Sequence, residues 1–222
     1  MTTFVPTLSL ELLRADIPDG VRIRNTRWAD LPQIPEIMRR VYPPPLHGPE
    51  SVWSEASLRS HLDIYPAGQL VAEDQKGRII ATATSMRVGL DAALAPHTWS
   101  AITGQGTLET HQREGEVLYG VNIAVDPAYQ GQGIGHGLYR KRLELGHREG
   151  CLAFIAGARL AGYFRHSYLD PEDYLDAVRD GRIFDPTISK QMSLGFMVVG
   201  LLRNYAPDPE TQGHAALIIL LL

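Results

Sequence analysis

The sequence predicts an α/β domain built on a mixed sheet of about seven strands flanked by helices. Three observations lead there. Strand and helix signals alternate along the chain. The connections include both hairpins and strand–helix–strand crossovers, so antiparallel and parallel neighbours are both required. A chain of 222 residues at 44% hydrophobic content has enough apolar surface for a substantial core. No internal repeat, low-complexity tract or linker divides it. Residues 1–222 are therefore expected to form a single domain, with 1–19 an N-terminal extension and 89–116 a long insertion loop.

The elements follow in order from local pattern. GVRIRN (Gly20–Asn25) alternates apolar and polar residues like a half-buried strand. In RWADLPQIPEIMRRVYP, Leu31, Ile34, Ile37, Met38 and Val41 recur at helical spacing, with Asp30 as N-cap and Pro43 as stop. PESVWSEASLRSHLDIYP reads as a second short helix. GQLVAED and GRIIATATSMRV form a hairpin across a turn containing Lys76-Gly77. Gly89–Glu116 lacks sustained periodicity and is expected to be a pivoting loop that forms part of the acceptor site rather than the core. VLYGVNIAV is the fourth strand, and a helix after it runs to about Glu149, closed by Gly150. CLAFIAG is a further strand, PEDYLDAVRDG and PTISKQMSLG are helices, and FMVVGLLRNY and HAALIILLL close the chain as two strands.

Composition narrows the function classes. The net charge of −4, with both signs interspersed, gives no footprint for nucleic acid or an anionic membrane surface. The lone Cys151 precludes an intramolecular disulfide and suits a reducing compartment; at the entry to an apolar run it is expected to be buried. The N-terminus lacks a basic region followed by an apolar one, and the apolar tail AALIILLL is too short to span a bilayer, so a cytoplasmic location is expected. His97 and His111 show no metal-ligand spacing, so no metal is expected.

The segment AVDPAYQGQGIGHGL poses the functional question. Gly131, Gly133 and Gly135 stand at alternate positions where a strand gives way to a helix, although glycine costs about 1 kcal/mol against alanine in a helix. Either the turn needs unusual dihedrals or something approaches the backbone too closely for a Cβ. Converging amides at a helix N-terminus suit an anion. No Lys-Ser or Lys-Thr follows, since His136 and Gly137 stand there, so a Walker A loop is excluded. The dinucleotide fingerprint fails on spacing and on the missing acidic residue after CLAFIAG.

The run V-D-P-A-Y-Q-G-Q-G-I-G-x-x-L resembles the acetyl-CoA-binding motif of the GNAT N-acetyltransferase superfamily, with Gln130, Gly133 and Gly135 as its core. SLGFMVVG is similar to the family's later helix-to-strand signature, and the resemblance covers roughly Val21 to the end. More narrowly, HTWSAITGQGTLETH, GARLAGY, PEDYLDAVRDGRIFDP and NYAPDPETQGHAAL resemble the acetyltransferase module found fused to nitrilase-type carbon–nitrogen hydrolases. The resemblance implies a GNAT fold splayed between the fourth and fifth strands, with acetyl-CoA as cosubstrate. It implies a small-molecule or peptide amine acceptor and leaves a homodimer, or action beside a separate hydrolase, open. Ile123, Ala124, Val125, Gln130, Gly131, Gln132, Gly133, Ile134, Gly135 and Gln191 would contact the cofactor. A bulge is expected at Ile123–Val125, with the Val125 N–H binding the acetyl oxygen.

Two departures from the family pattern bear on mechanism. Many members carry a glutamate where this chain has Val121, and a tyrosine where it has Gln191. An amine with a pKa near 10.4 is neutral only about one part in a few thousand at pH 7, so a base or relay is still needed. Asn122, Tyr163 and His166 are the candidate catalytic residues, Asn122 to orient the acceptor and the other two as acid and base. Tyr119, Trp53 and Trp99 are read as core. Two alternatives stay open: a non-catalytic acyl-CoA sensor, and an acyltransferase using a longer acyl group or a hydroxyl acceptor.

Overall fold

The computed structural model describes residues 17–44 and 51–222. Residues 1–16 of the expected extension and residues 49–50 of the second predicted helix lie outside them. Seven strands form one sheet in the order β1-β2-β3-β4-β5-β7-β6. They are β1 (Arg22–Asn25), β2 (Gln69–Glu73), β3 (Ile79–Val88), β4 (Val117–Val125), β5 (Ala153–Arg159), β6 (Met197–Leu202) and β7 (Ala215–Leu221). All neighbours are antiparallel except β4 and β5, the parallel pair joined by the long helix after the glycine turn.

Helices cover both faces. On one lie α1 (Ile34–Val41), α2 (Glu55–Ile64), α3 (Leu90–Leu94) and α4 (Trp99–Thr103), burying Ile37, Leu58, Ala93 and Ile102 against Tyr119, Val121 and Ile155 of the sheet. On the other lie α5 (Ile134–Arg148), α6 (Pro171–Arg179) and α7 (Ile188–Ser193), where Tyr139, Leu143, Tyr174 and Ile188 pack on Leu118, Phe154 and Ala156. Alternate residues of β4 and β5 thus feed opposite cores, as a strand covered on both sides requires.

Local caps explain several boundaries. Ser54 accepts from the Ser57 amide and Asp170 from the Glu172 amide, starting α2 and α6. Gly150 and Gly181 adopt positive φ just beyond their helices. Asp30 does not cap α1 as expected. A 3-10 turn (Trp28–Gln33) precedes that helix, and Asp30, third in the turn, accepts from the Arg27 amide and pairs with Arg24 at 2.6 Å. The same Arg24 guanidinium also pairs with Glu73, donating Nε to its carboxylate at 2.8 Å, so Asp30 is held by β1 rather than by α1.

The segment 89–116 also differs from expectation. It is a built element rather than a loose loop: it holds α3 and α4, and Ala93, Thr103 and Leu108 are fully buried. Its pattern escapes helical periodicity because each helix is a single short turn, and the second is followed by positive-φ residues at Gly104, Gln105, Gly106 and Leu108.

Candidate active site

The site begins where β4 parts from β5. Their register runs only from Val117–Ala153 to Gly120–Ala156. Beyond that point β4 continues on β3 as far as Val125, while β5 continues on β7 as far as Arg159. The sheet is therefore split into a wedge whose walls are residues 121–125 and 157–159. A bulge marks the split: Ser85 pairs with Gly120 and Thr84 with Asn122, so Val121 is the extra residue. This is earlier than the expected bulge at Ile123–Val125. The change of facing follows from it, since Val121 and Ala124, an odd number apart, both enter the same core.

The bulge sets which amides are free. Asp126 donates to Ile80 at 2.9 Å, which fixes the phase of the β3–β4 ladder. In an antiparallel pair alternate residues face the partner, so Asn122 and Ala124 bond to β3, and the Ile123 and Val125 amides point into the wedge. Behind the bulge lies Arg142 of α5, a fully buried guanidinium that donates to the carbonyls of Thr84 (2.8 Å) and Asn122. It lies over the rings of Tyr139 and Phe154, and burial without a carboxylate lowers its pKa to about 10. Its charge is thus held by carbonyl dipoles and ring faces at the point where the sheet opens.

At the wedge mouth the chain turns through the glycines. Gly131 and Gly133 adopt φ of +76° and +83°, so these two are required by the turn itself. Gly135 has no such requirement, and a Cβ there would meet nothing within 4 Å. No acceptor among the described residues takes up the amides of Gly131 through His136. Gln130 steadies the turn by donating Nε2 to the Val125 carbonyl at 2.9 Å, and Gln132 does the same to Ala128 at 3.2 Å. A short run of undonated amides, a helix N-terminus and an open backbone at Gly135 fit a phosphate-bearing ligand.

The other sequence-selected residues divide. Asn122 donates Nδ2 toward the Tyr42 hydroxyl at 3.4 Å, while its buried Oδ1 has no partner among the described residues. Gln191 donates Nε2 to the Tyr139 hydroxyl at 2.8 Å and leaves a buried Oε1 equally unpartnered. Tyr163 is buried, its ring tilted against Tyr174, and its hydroxyl donates to the Leu169 carbonyl at 2.8 Å. His166 contacts Tyr168 and Tyr174. Neither of these two hydrogen-bonds to β4 or to the glycine turn, because the loop after β5 folds back under α6 instead of over the wedge.

Sequence reasoning missed the residues on the other face of the wedge. Trp99 Nε1 donates to the carbonyl of the bulge residue Val121 at 3.1 Å and packs against Trp53. His97, Tyr119 and Tyr205 form a hydrogen-bonded chain beside it. Only the side-chain types were visible beforehand; nothing in their spacing joins residues 97, 119 and 205. Among the described residues no group of three His, Cys, Asp or Glu is placed to hold a metal, and no helix is long and apolar enough to cross a membrane.

The profile of the Acetyltransferase (GNAT) family matches residues 31–166. This chain belongs to the GNAT family. Its common chemistry, acyl transfer from an acyl-CoA thioester, is compatible with a split sheet that has a glycine turn of undonated amides at its mouth. Among curated relatives of this GNAT chain, the uncharacterized N-acetyltransferase YkwB of Bacillus subtilis is 30% identical over 201 residues, 90% of this chain and 88% of YkwB. The probable hydrolase YhcX of the same organism is 33% identical over 187 residues, 84% of this chain but 35% of YhcX. The chain thus spans about a third of YhcX, in keeping with the resemblance to a module joined to a hydrolase. A GphF GNAT-like decarboxylase in complex with isobutyryl-CoA superposes with a TM-score of 0.76 at 27% identity, covering 90% of this chain and 98% of that one.

Proposed function

We propose that this GNAT domain transfers an acetyl group from acetyl-CoA to an amine acceptor by direct attack within a ternary complex. The observation that carries the reading is the wedge between β4 and β5, with unpaired Ile123 and Val125 amides on one wall and the free amides of Gly131–His136 at its mouth. Pantetheine would lie along the freed edge like an added strand, and the pyrophosphate would take the turn amides. The thioester oxygen would accept from the Val125 N–H, whose dipole stabilises the developing oxyanion. Gln191, whose buried Oε1 is unpartnered among the described residues, would supply an acceptor to the bound cofactor.

Calorimetry with acetyl-CoA tests this through Gly135→Val. The space around Gly135 is open and its φ is not positive, so the fold should tolerate the side chain while the ligand does not. Gly133→Val is a poorer probe, because φ +83° strains any branched residue. The expected result is a folded variant with affinity at least tenfold weaker. Unchanged affinity would move the site elsewhere.

A second reading is favoured by the similarity to a decarboxylase holding isobutyryl-CoA: this chain handles a longer or branched acyl group. Thiol release measured across acetyl-, propionyl-, isobutyryl- and malonyl-CoA, each with and without an amine panel, separates the two. Amine-dependent release that is fastest with acetyl-CoA supports the first. Amine-dependent release that is fastest with propionyl- or isobutyryl-CoA supports the second.

A further inference from the structure

The wedge has a polar chain on its α1–α4 side that the family pattern does not supply. His97, between α3 and α4, bonds through Nδ1 to the Ala95 carbonyl at 2.7 Å and through Nε2 to the Tyr119 hydroxyl at 2.8 Å. The Tyr119 hydroxyl lies 3.0 Å from that of Tyr205. A carbonyl only accepts, so the neutral ring carries its proton on Nδ1 and presents a lone pair at Nε2. Tyr119 must then donate to His97, and Tyr205 to Tyr119. All three protons point in one direction, outward.

The inner end of the chain is at the wedge. Gly157 is the first β5 residue beyond the stretch paired with β4. A Cβ at Gly157 would lie 2.7 Å from the Tyr205 hydroxyl, so only glycine lets the phenol reach this wall. Tyr205 is held there by its backbone, with its carbonyl accepting from the Trp99 amide and its amide donating to the Gly213 carbonyl, both at 2.6 Å. Tyr119 shares its face with Val121, two residues on and about 7 Å along the strand. The outer end is His97, only partly buried. A fully buried tyrosine that hydrogen-bonds to a partly exposed histidine leads from the core beside the wedge toward solvent.

We propose that Tyr205, Tyr119 and His97 form the proton exit for the transfer reaction, with His97 as its terminal base. The inference rests on the acyl-transfer reading above. The amine nitrogen bonds to the thioester carbonyl carbon, the C–S bond breaks, and CoA leaves as the thiolate. The extra proton on nitrogen passes to the Tyr205 oxygen as its own proton moves to Tyr119 and that of Tyr119 moves to His97 Nε2. The imidazolium then gives one proton to solvent, which balances one thiolate. The titratable groups facing His97 are Tyr119 from β4 and Tyr205 from the β6–β7 connection. Burial lowers the His97 pKa from 6.5, against a smaller opposing effect of the Ala95 carbonyl, so the ring is neutral and ready to accept at pH 7.

The first arm of the test needs no turnover. Nitrogen-15 NMR of the imidazoles in the free protein should find His97 in the Nδ1–H tautomer, titrating below 6.5. An Nε2–H tautomer, or titration at or above 6.5, overturns the relay. The second arm follows acetyl-CoA thiol release with glycinamide, putrescine and a peptide N-terminus over pH 5–9. The wild-type rate should fall on the acid side with the His97 pKa. His97→Gln, Tyr119→Phe and Tyr205→Phe should each lose tenfold or more in kcat, and His97→Gln should also lose the acid limb. Acetyl-CoA affinity by calorimetry should stay within about twofold in all three. Retained turnover and acid limb in folded variants overturn the relay alone. Failure of the wild type to bind acetyl-CoA overturns the acyl-transfer reading and the relay with it.

Discussion

A carbonyl can only accept, so the 2.8 Å contact between His61 Nε2 and the Gly106 carbonyl places the ring proton on Nε2. Nδ1 is then a buried acceptor with no partner among the described residues, next to the edge of Trp53. Burial lowers the His61 pKa from 6.5 to about 4, with the Gly106 bond opposing it weakly. The group is depressed on folding, so its contribution is fully present above 6.5 and is lost as the pH falls toward 4, because the unfolded chain binds the proton first. By pH 5 that amounts to about 2 kcal/mol. Urea unfolding at pH 7 and pH 5 should show a steeper loss for the wild type than for His61→Gln, by about that amount; parallel losses would mean that His61 protonates without unfolding. The single sequence could not have ranked His61 over the other histidines, since what singles it out is a carbonyl 45 residues away. The glycine turn was legible for the opposite reason. Its glycines, strand and helix are contiguous, so the dihedral demand of the turn is written within fifteen positions.

Elements with a full period were readable: all seven strands and the helix Ile134–Arg148 fall where alternation, turns and caps put them. Segment 89–116 was not, because its contacts rather than its pattern make it an element. Leu108 has no exposed surface although its φ is +67°, and Gly106 lets Trp53 and Trp99 close over the backbone at 2.9 Å from where a Cβ would stand. Ser60 of α2 ties the segment to its surroundings by donating to the Thr107 carbonyl, and Thr110 braces it internally by donating to the Ile102 carbonyl. Excising residues 98–110 would therefore remove core, and is not a clean test of acceptor binding. Leu108→Ala should cost about 2–5 kcal/mol in chemical denaturation, as for a buried leucine in a packed core. A cost under about 0.5 kcal/mol would return the segment to the status of a loose loop. The bulge shows the same limit on a finer scale. The motif located it within a few residues, but its place at Val121 is decided by the pairing of Ser85 and Thr84 on β3.

At the scale of the molecule, the split sheet means that two antiparallel blocks, β1–β4 and β5-β7-β6, meet along four register pairs. The backbone groups beyond Gly120 and Ala156 have no partner strand across the wedge. A ligand that lies there as an added strand closes the seam, and binding only the folded state stabilises it by about 2.7 kcal/mol at a hundred times Kd. That gain would slow exchange everywhere for amides that need global unfolding. The wedge amides differ. Ile123, Val125 and Gly131–His136 have no acceptor among the described residues, so in the free protein they are expected to exchange from the native state. Saturating acetyl-CoA should therefore protect them by more than it protects any amide of β1 or β2, in hydrogen-exchange measurements read residue by residue. CoA alone should give the same pattern, since the pyrophosphate and pantetheine carry it. A competing location exists: a surface groove lined by Tyr168, Asp173, Asp176 and Arg182 lies around α6. Protection confined to that groove, or spread evenly over the sheet with none in excess at Ile123 and Val125, would mean that the wedge is not where the acyl carrier binds.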